Sequence, residues 1–275
     1  NPGRNIRIKP FVTGQTRKVG GGTRTNDGDG GLDVKIGLGT NLVLDGTWRT
    51  DFSQVEADTQ QVNLTRFSLF FPEKREFFLE NSGIFQFGSA FPDRQPNAGG
   101  GRLTTLNNDF YLFFSRRIGL SDSGTPIPIY GGTRLTGRAA GLELGFLNMQ
   151  QKEIGDPRLR NFSPGTNFSV ARVRKNLLGN SDIGVMMVNK EDTNSAHYNR
   201  VLGADANLRF GRFTNVNAYF ARSLTPLAKD HRNAGRASFS YIDPKWNYRI
   251  SYTNVEQNFV NEMGFVPRLG VRKMA

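Results

Sequence analysis

Apolar and polar residues alternate along much of the chain. From Leu32 to Leu38 every second residue is apolar, and the residues between them are polar or glycine. The same alternation runs from Leu202 to Phe210 and from Trp246 to Tyr252. Because successive side chains of a β-strand point to opposite faces, each run predicts a strand with one apolar and one polar face. Further runs, some less regular, cover 6–13, 42–49, 110–116, 142–148, 168–174, 183–189, 215–220 and 236–241.

Turn-forming residues separate these runs. The sequence predicts short turns at 26–30, 122–124, 179–180, 211 and 243–244, and longer polar loops at 151–166, 189–199 and 224–233. Strands of about ten residues, joined by turns that alternate between short and long, are typical of a membrane-spanning β-barrel. The spacing of the turns predicts about ten to twelve such strands in the chain.

The same alternation would also fit a soluble sandwich or barrel whose apolar residues face inward. Two features favour the membrane protein: the polar face carries Asp, Asn, Arg and Lys at successive positions, and the apolar face ends in aromatic residues such as Trp48, Trp246 and Tyr248. No stretch approaches the ~18 apolar residues of a membrane helix. We therefore expect an all-β fold, an antiparallel outer-membrane β-barrel with lipid on its apolar flank and water inside.

Residues 51–87 interrupt the alternation. Pro72 and the acidic residues that follow it predict a short helix over 72–80, ended near Asn81. We interpret 51–87 as an insert that fills the barrel lumen or caps one mouth. Since each buried Phe contributes ~1.5–3 kcal/mol, an aromatic cluster is expected in it. The cluster would contain Phe70, Phe71, Phe77 and Phe78.

Several sequence blocks in and after this insert resemble those of a known protein family. They are DFSQVEAD (51–58), NLTRF (63–67), FFPEKR (70–75), FFLE (77–80), SRRIG (115–119) and GFVPR (264–268). In this order they resemble the hallmark blocks of a bacterial outer-membrane β-barrel family, whose members usually carry an N-terminal domain similar to family 9 carbohydrate-binding modules. The resemblance implies the outer membrane of a Gram-negative bacterium, contact with its lipid and lipopolysaccharide, and a link to carbohydrate. It implies no reaction.

The sequence departs from that family's pattern at three points. Glu76 stands where proline is expected, the carbohydrate-binding domain is missing, and no aromatic-ended strand follows Arg268. We therefore interpret 1–275 as a barrel fragment cut from a longer protein, with its last strands missing.

The charged residues of the insert are the candidate site. Glu73, Glu76 and Glu80 would share one helical face and could supply an acid and a base. We favour an ion-pair network that holds the insert against a basic lumen wall, because structural charge networks are commoner than catalytic ones. No catalytic residue is therefore assigned. Residues expected to bind a solute or shape the lumen are Glu56, Asp58, Arg66, Glu73, Lys74, Arg75, Glu80, Arg116 and Arg117.

Other chemistries find little support in the sequence. Cysteine is absent, and the two histidines, His197 and His231, lie in predicted loops. Asp192 and Asp230 are near them in sequence but do not make a triad, and no Gly-x-Ser-x-Gly motif is present. The acidic, glycine-rich stretch 26–30 lacks the bidentate Glu of a calcium loop. We therefore expect neither a metal nor a cofactor.

The charge of the chain is strongly basic, with 36 Lys and Arg against 24 Asp and Glu and a net charge of +12. A surplus of this size points to a polyanionic partner or to a charged channel wall. Arg209, Arg236 and Arg249 occupy the polar register of predicted strands, which explains the charge without nucleic acid. We expect passage or capture of a solute or polymer. Two alternatives stay open: a hydrolase using carboxylates of 51–87, and a soluble β-rich protein that binds an acidic ligand.

Overall fold

The part of the chain that the structure describes folds into one antiparallel sheet of twelve strands, each paired with its neighbours in sequence. The computed structural model describes residues 5–17, 25–49, 73–88, 110–120, 127–155, 162–226, 228–266 and 268–274. The all-β, antiparallel prediction is confirmed. The strands are β1 (Ile6–Arg17), β2 (Thr25–Leu38), β3 (Leu42–Trp48), β4 (Ile129–Ala139), β5 (Leu142–Gln151), β6 (Thr166–Leu177), β7 (Ser181–Asp192), β8 (Tyr198–Phe210), β9 (Thr214–Leu224), β10 (Asn233–Ile242), β11 (Asn247–Val255) and β12 (Val271–Met274).

Strand register separates the two faces of the sheet. Val188 of β7 lies opposite Val201 of β8, and both are fully buried. Val185 and Leu202 project from the other side of the same two strands and are 56% and 50% exposed. We call the face that contains Val188 and Val201 the inner face, and the face that contains Val185 and Leu202 the outer face.

Connections between strands are short at one end of the sheet and long at the other. The short ones are the turns near 39–41, 140–141, 178–180, 211–213 and 243–246, and the long ones include 152–165, 193–197, 225–232 and 256–270. Ala140 and Gly141 both have positive φ, 51° and 74°, as a two-residue hairpin turn requires. The predicted alternation of turn lengths is therefore confirmed for these connections.

Two local predictions were wrong. The expected turn at 26–30 lies within β2, because these residues pair continuously with β1, from Asn26 opposite Thr16 to Gly30 opposite Val12. Pairing thus overrides the weak strand propensity of Asp and Gly. The expected strand at 110–116 is mostly irregular and includes a short 3₁₀ turn at Ser115–Arg117. The predicted turn at 122–124 and the insert from 51 to 72 lie outside the described residues.

Residues 73–88 and 110–120 form two inner segments that pack against the inner face. They supply Phe77, Phe78, Phe85, Phe87, Leu112 and Ile118 to a core shared with strand residues such as Leu147, Met149, Val170 and Val201. The rings of Phe77 and Phe78 meet edge to face with centroids 5.2 Å apart. An aromatic cluster is confirmed at these two positions, whereas Phe70 and Phe71 lie outside the described residues.

The helix of the insert is shorter than predicted, since α1 covers only Glu76–Leu79. The Glu73 carboxylate accepts hydrogen bonds from the backbone N–H groups of Lys74 and Arg75, and Arg75 is extended, so the helix begins later. It ends because Glu80 returns to an extended conformation and Asn81 adopts a left-handed one, with φ 55°. No described helix is long and apolar enough to cross a membrane.

The two edges of the sheet are β1 and β12. In the part of the chain that the structure describes, each pairs on one side only, so the sheet is not closed into a barrel.

Candidate functional site

Arg134 joins the sheet to α1. It lies on β4, is 2% exposed, and donates to Oδ2 of Asp45 on β3 from Nε at 3.1 Å and from Nη2 at 2.7 Å. The same guanidinium donates to the backbone carbonyls of Phe77 and Glu80 and lies over the Phe77 ring at 5.0 Å. One buried cation thus neutralises a strand carboxylate and satisfies carbonyls at the end of the helix.

The carboxylates of α1 and its flank contact separate strands. Glu76 pairs with Lys9 of β1, and Glu80 pairs with Lys35 of β2. The hydrogen bond and the positive charge of Lys9 lower the pKa of Glu76. Because the two carboxylates pair with lysines of different strands, the arrangement is an ion-pair network between α1 and the sheet. The expected network is confirmed for these pairs.

Glu73 and Arg75 form a second, more buried cluster with residues 115–118. Arg75 Nε and Nη2 donate to the two oxygens of Glu73 at 2.9 and 2.7 Å, and the guanidinium also donates to the carbonyls of Ile118 and Ser115. Burial alone raises the pKa of Glu73, but the hydrogen bonds and charge of Arg75, with the Ser115 hydroxyl, outweigh it and hold the pKa below its ordinary value. This cluster connects the two inner segments.

A third set of contacts ties the inner segments to the loop after β11. Tyr111 and Phe265 exchange backbone hydrogen bonds of 2.9 Å, and the Phe114 N–H donates to the Met263 carbonyl at 2.7 Å. Arg117 Nε donates to the Gly264 carbonyl at 3.3 Å. The blocks around 73–80, 115–119 and 264–268, which are far apart in sequence, therefore meet in one region.

The end of the first inner segment is held by β6 and β8. Arg172 pairs with both oxygens of Asp205, and Oδ2 of Asp205 also accepts the backbone N–H of Gly88 at 3.1 Å. Gly203 permits close approach, since a Cβ there would lie 2.5 Å from the Phe87 ring. The inner segments are thus anchored from β1 to β9, where Tyr219 stacks on Phe110.

The predicted residues fall into separate groups. Glu73, Lys74 and Arg75 stand together beside 115–118, whereas Glu80 belongs to the cluster of Lys35, Asp45 and Arg134. Arg116 is buried, which lowers its pKa, and Arg117 contacts the loop after β11. Glu73 precedes α1, so the prediction that Glu73, Glu76 and Glu80 share one helical face was wrong. Outside the described residues lie Glu56, Asp58 and Arg66.

Sequence reasoning missed the residues of the sheet that take part in the network. Asp45 and Arg134 lie directly opposite each other in neighbouring strands, but their strands are separated by the long insert. The sequence did contain a signal for this pair, because both residues occupy polar positions of alternating segments and carry opposite charges. The other missed residues are Lys9, Lys35, Arg172 and Asp205.

Among the residues that the structure describes, neither histidine forms a triad with a carboxylate and a serine hydroxyl. His197 Nε2 lies 2.9 Å from Oε1 of Glu262, which also accepts from Lys190 at 2.7 Å. The Ser195 hydroxyl instead donates to Asp192. Among the described residues, no group of three His, Asp or Glu side chains could hold a metal ion.

Taken together, these contacts define an all-β protein with one continuous antiparallel sheet and two ion-paired segments packed on its inner face. Residues 2–273 match the family described as a domain of unknown function, DUF5916, and the chain belongs to that family. No curated protein and no solved structure is detectably similar to the chain.

Proposed function

We propose that the sheet is the membrane-spanning wall of an outer-membrane β-barrel in a Gram-negative bacterium. The inner segments act as a plug within it, and the protein passes or captures a solute or polymer. In this proposal the outer face meets lipid and lipopolysaccharide, and the rest of the inner face lines a hydrated path. The proposal includes closure of the wall by pairing beyond the edges at β1 and β12.

A continuous apolar outer face carries this proposal. One row of directly paired residues runs from β1 to β8 without a polar side chain. It consists of Ile6, Ile36, Leu44, Leu135, Phe146, Ala171, Met187 and Leu202. Many outer-face side chains are about half exposed, including Phe220 at 55% and Ile250 at 57%. Soluble monomers rarely expose an apolar patch beyond a few hundred Å², whereas a lipid-facing wall requires one.

The apolar band ends on the side of the long loops. Next to the row that contains Phe146 and Met187, the outer positions of β5 to β8 become Asn148, Ser169, Asn189 and Arg200. They bond to one another or to their neighbours: Asn148 Nδ2 donates to Ser169 Oγ at 2.8 Å, and Arg200 Nε donates to Asn189 Oδ1 at 2.9 Å. This row of polar side chains, next to the apolar band, supports the proposal that the strands project from the membrane on the long-loop side.

Aromatic residues cluster at the short-turn side of the band. Trp246 and Tyr248 stack with ring centroids 5.8 Å apart and are 56% and 51% exposed. Phe210, on the outer face near the next short turn, is 58% exposed. Trp and Tyr rings, which have one polar edge, favour the membrane–water interface, so the position of Trp246 and Tyr248 supports an aromatic girdle at this end.

The test of location is fractionation. The full-length protein should require detergent for extraction and should migrate faster on gels before heating than after, as folded barrels do. Purification as a monomer that stays in solution without detergent contradicts the proposal and favours a soluble binding protein.

The test of the plug uses planar bilayers. Because the chain contains no cysteine, the pair Asn81→Cys and Thr136→Cys, whose native side chains lie 3.2 Å apart, can lock the first inner segment to β4. Conductance should be low in the oxidised protein and should rise on addition of reductant. The single variant Asn81→Cys is the control and should not respond. Conductance that reductant leaves unchanged contradicts a movable plug, and no conductance under any condition contradicts passage.

A further inference from the structure

The inner face carries paired charges on its first eight strands. Asp33, Asp45, Glu143, Asp182, Asp192 and Asp205 are its acidic residues whose side chains the structure describes, and each has a partner. Asp45 pairs with Arg134, Glu143 with Arg174 and Asp205 with Arg172. Asp33 accepts from the Thr47 hydroxyl and Asp182 from the Asn207 amide. On these eight strands, Asp45, Glu143 and Asp205 are thus neutralised by arginines of the same face.

The last four strands differ. Within β9 to β12, all of whose residues the structure describes, no inward-facing position carries Asp or Glu. Arg236 of β10 lies opposite Thr253 of β11, which in turn lies opposite Lys273 of β12. On the short-turn side of this row the inward positions include Asn215, Asn217, Ser238, Ser240, Arg249 and Ser251, whereas Ala234, Val255 and Val271 lie on its long-loop side.

The row Arg236–Thr253–Lys273 brings two cations to one place. Adjacent strands are about 4.8 Å apart, so the two backbone positions are about 10 Å apart, with a hydroxyl between them. Both side chains are long enough to meet over Thr253. Arg236 Nε is buried without a hydrogen-bond partner, which leaves a donor unsatisfied. Guanidinium groups bind phosphate and carboxylate through two parallel N–H donors.

We infer that the Arg236–Thr253–Lys273 row binds the anionic group of a hydroxyl-rich solute, with a phosphate or carboxylate at the two cations. The serine and asparagine side chains beside the row supply donors and acceptors for the hydroxyls of that solute. This inference rests on the proposed function, because it places the solute on the inner face. It adds the chemical class of solute, and sugar phosphates and sugar acids belong to that class.

Calorimetric titration of the full-length protein in detergent, at low ionic strength, tests the inference. Glucose 6-phosphate should bind at least about tenfold more tightly than glucose, since one charge-assisted contact is worth about that factor. Arg236→Gln should weaken binding of glucose 6-phosphate about tenfold, and Lys273→Gln should weaken it in the same direction. Arg236→Lys keeps the positive charge but loses the two parallel N–H donors of the guanidinium. Its affinity for glucose 6-phosphate should lie between those of Arg236→Gln and the wild type.

The matched control is Arg222→Gln, because Arg222 is an exposed arginine on the outer face of β9. Its affinity for glucose 6-phosphate should equal that of the wild type, and all variants should keep heat-dependent gel migration. Equal binding of glucose and glucose 6-phosphate, or equal losses in Arg236→Gln and Arg222→Gln, overturns the inference. Equal binding of inorganic phosphate and glucose 6-phosphate overturns the part assigned to the hydroxyls.

The two proposals fail separately. If the protein conducts in bilayers but binds glucose 6-phosphate no better than glucose, only the inference about the solute is contradicted. If the protein can be extracted without detergent and does not conduct, the proposed function is contradicted, whatever the titration shows.

Discussion

Arg172 of β6 and Asp205 of β8 form an ion pair that passes over Gly184 of the strand between them. Nη1 lies 2.5 Å from Oδ1 and Nη2 2.9 Å from Oδ2, and the side chains are 1% and 8% exposed. A Cβ at Gly184 would lie 2.8 Å from Arg172 Nη1, so glycine leaves room for the bond. Two strands that are not neighbours are thereby connected across the inner face.

Asp205→Asn should strongly destabilise the protein. The substitution leaves Arg172 buried without its counter-charge, a change that costs about 3–5 kcal/mol. The free energy of unfolding in urea, measured in lipid, checks this. Glu191→Gln is the matched control: it breaks the Arg200–Glu191 pair, which is about half exposed and worth about 0–1 kcal/mol. Similar losses in the two variants would contradict a special role for the buried pair.

Arg75→Met should release the inner segments from each other. It removes the donors to Glu73, Ile118 and Ser115 and leaves the Glu73 carboxylate buried without its cation, at about 3–5 kcal/mol. Limited proteolysis should then cut within 73–88 at least about tenfold faster than in the wild type. Arg138→Gln, an exposed arginine on β4, should leave the cleavage rate unchanged. Cleavage that is equally slow in both variants would show that Arg75 does not hold the segment.

The Glu73 contribution to stability should depend on pH. The pKa of Glu73 is lower in the folded protein than its ordinary value of 4.5. The ionised carboxylate therefore stabilises the fold at any pH above 4.5, and this stabilisation is lost as the pH falls through the lowered pKa. Glu73→Gln should therefore be less stable than the wild type at pH 7, by about 1–3 kcal/mol, and the difference should shrink well below pH 4.5.

Urea unfolding at a series of pH values measures that difference. Glu153→Gln, at an exposed carboxylate, should differ little from the wild type at any pH. A Glu73→Gln deficit that stays constant down to pH 3 would mean that the ionised carboxylate is not what stabilises the cluster.

Val185→Arg should disfavour insertion into a membrane. Val185 lies in the middle of the outer-face band, and arginine at a lipid-facing position near the bilayer midplane costs about 2–4 kcal/mol. Ala196→Arg adds the same charge in the exposed loop between β7 and β8 and should cost about 0–1 kcal/mol. Folding yield into liposomes, followed by heat-dependent gel migration, compares the two. Equal yields would indicate that water, and not lipid, covers the outer face.

The strands were predictable wherever alternation is regular. Leu202–Phe210 is an example, because apolar and polar residues alternate along it and so define the two faces of the strand. The stretches 26–30 and 110–116 were predicted wrongly because their structure depends on distant partners, β1 in one case and the loop after β11 in the other. Local propensity carries no information about such partners.

The site was predictable in part. The insert's charges indicate an ion-pair network, but their partners on the sheet depend on strand register. Asp45 and Arg134 are 89 positions apart and meet only because β3 and β4 pair. Arg172 and Asp205 depend further on Gly184, whose role appears only once β6, β7 and β8 are aligned.

The pairing of β3 with β4 also constrains the order of assembly. These strands are neighbours although residues 49–128 separate them, whereas β4 to β11 follow one another through much shorter connections. Since the entropy lost on closing a loop grows with its length, we expect hairpins from β4 onward to nucleate first and β1 to β3 to be added last. The inner segments belong to the same long connection, so they can pack on the sheet formed by β4 onward before the first three strands are added.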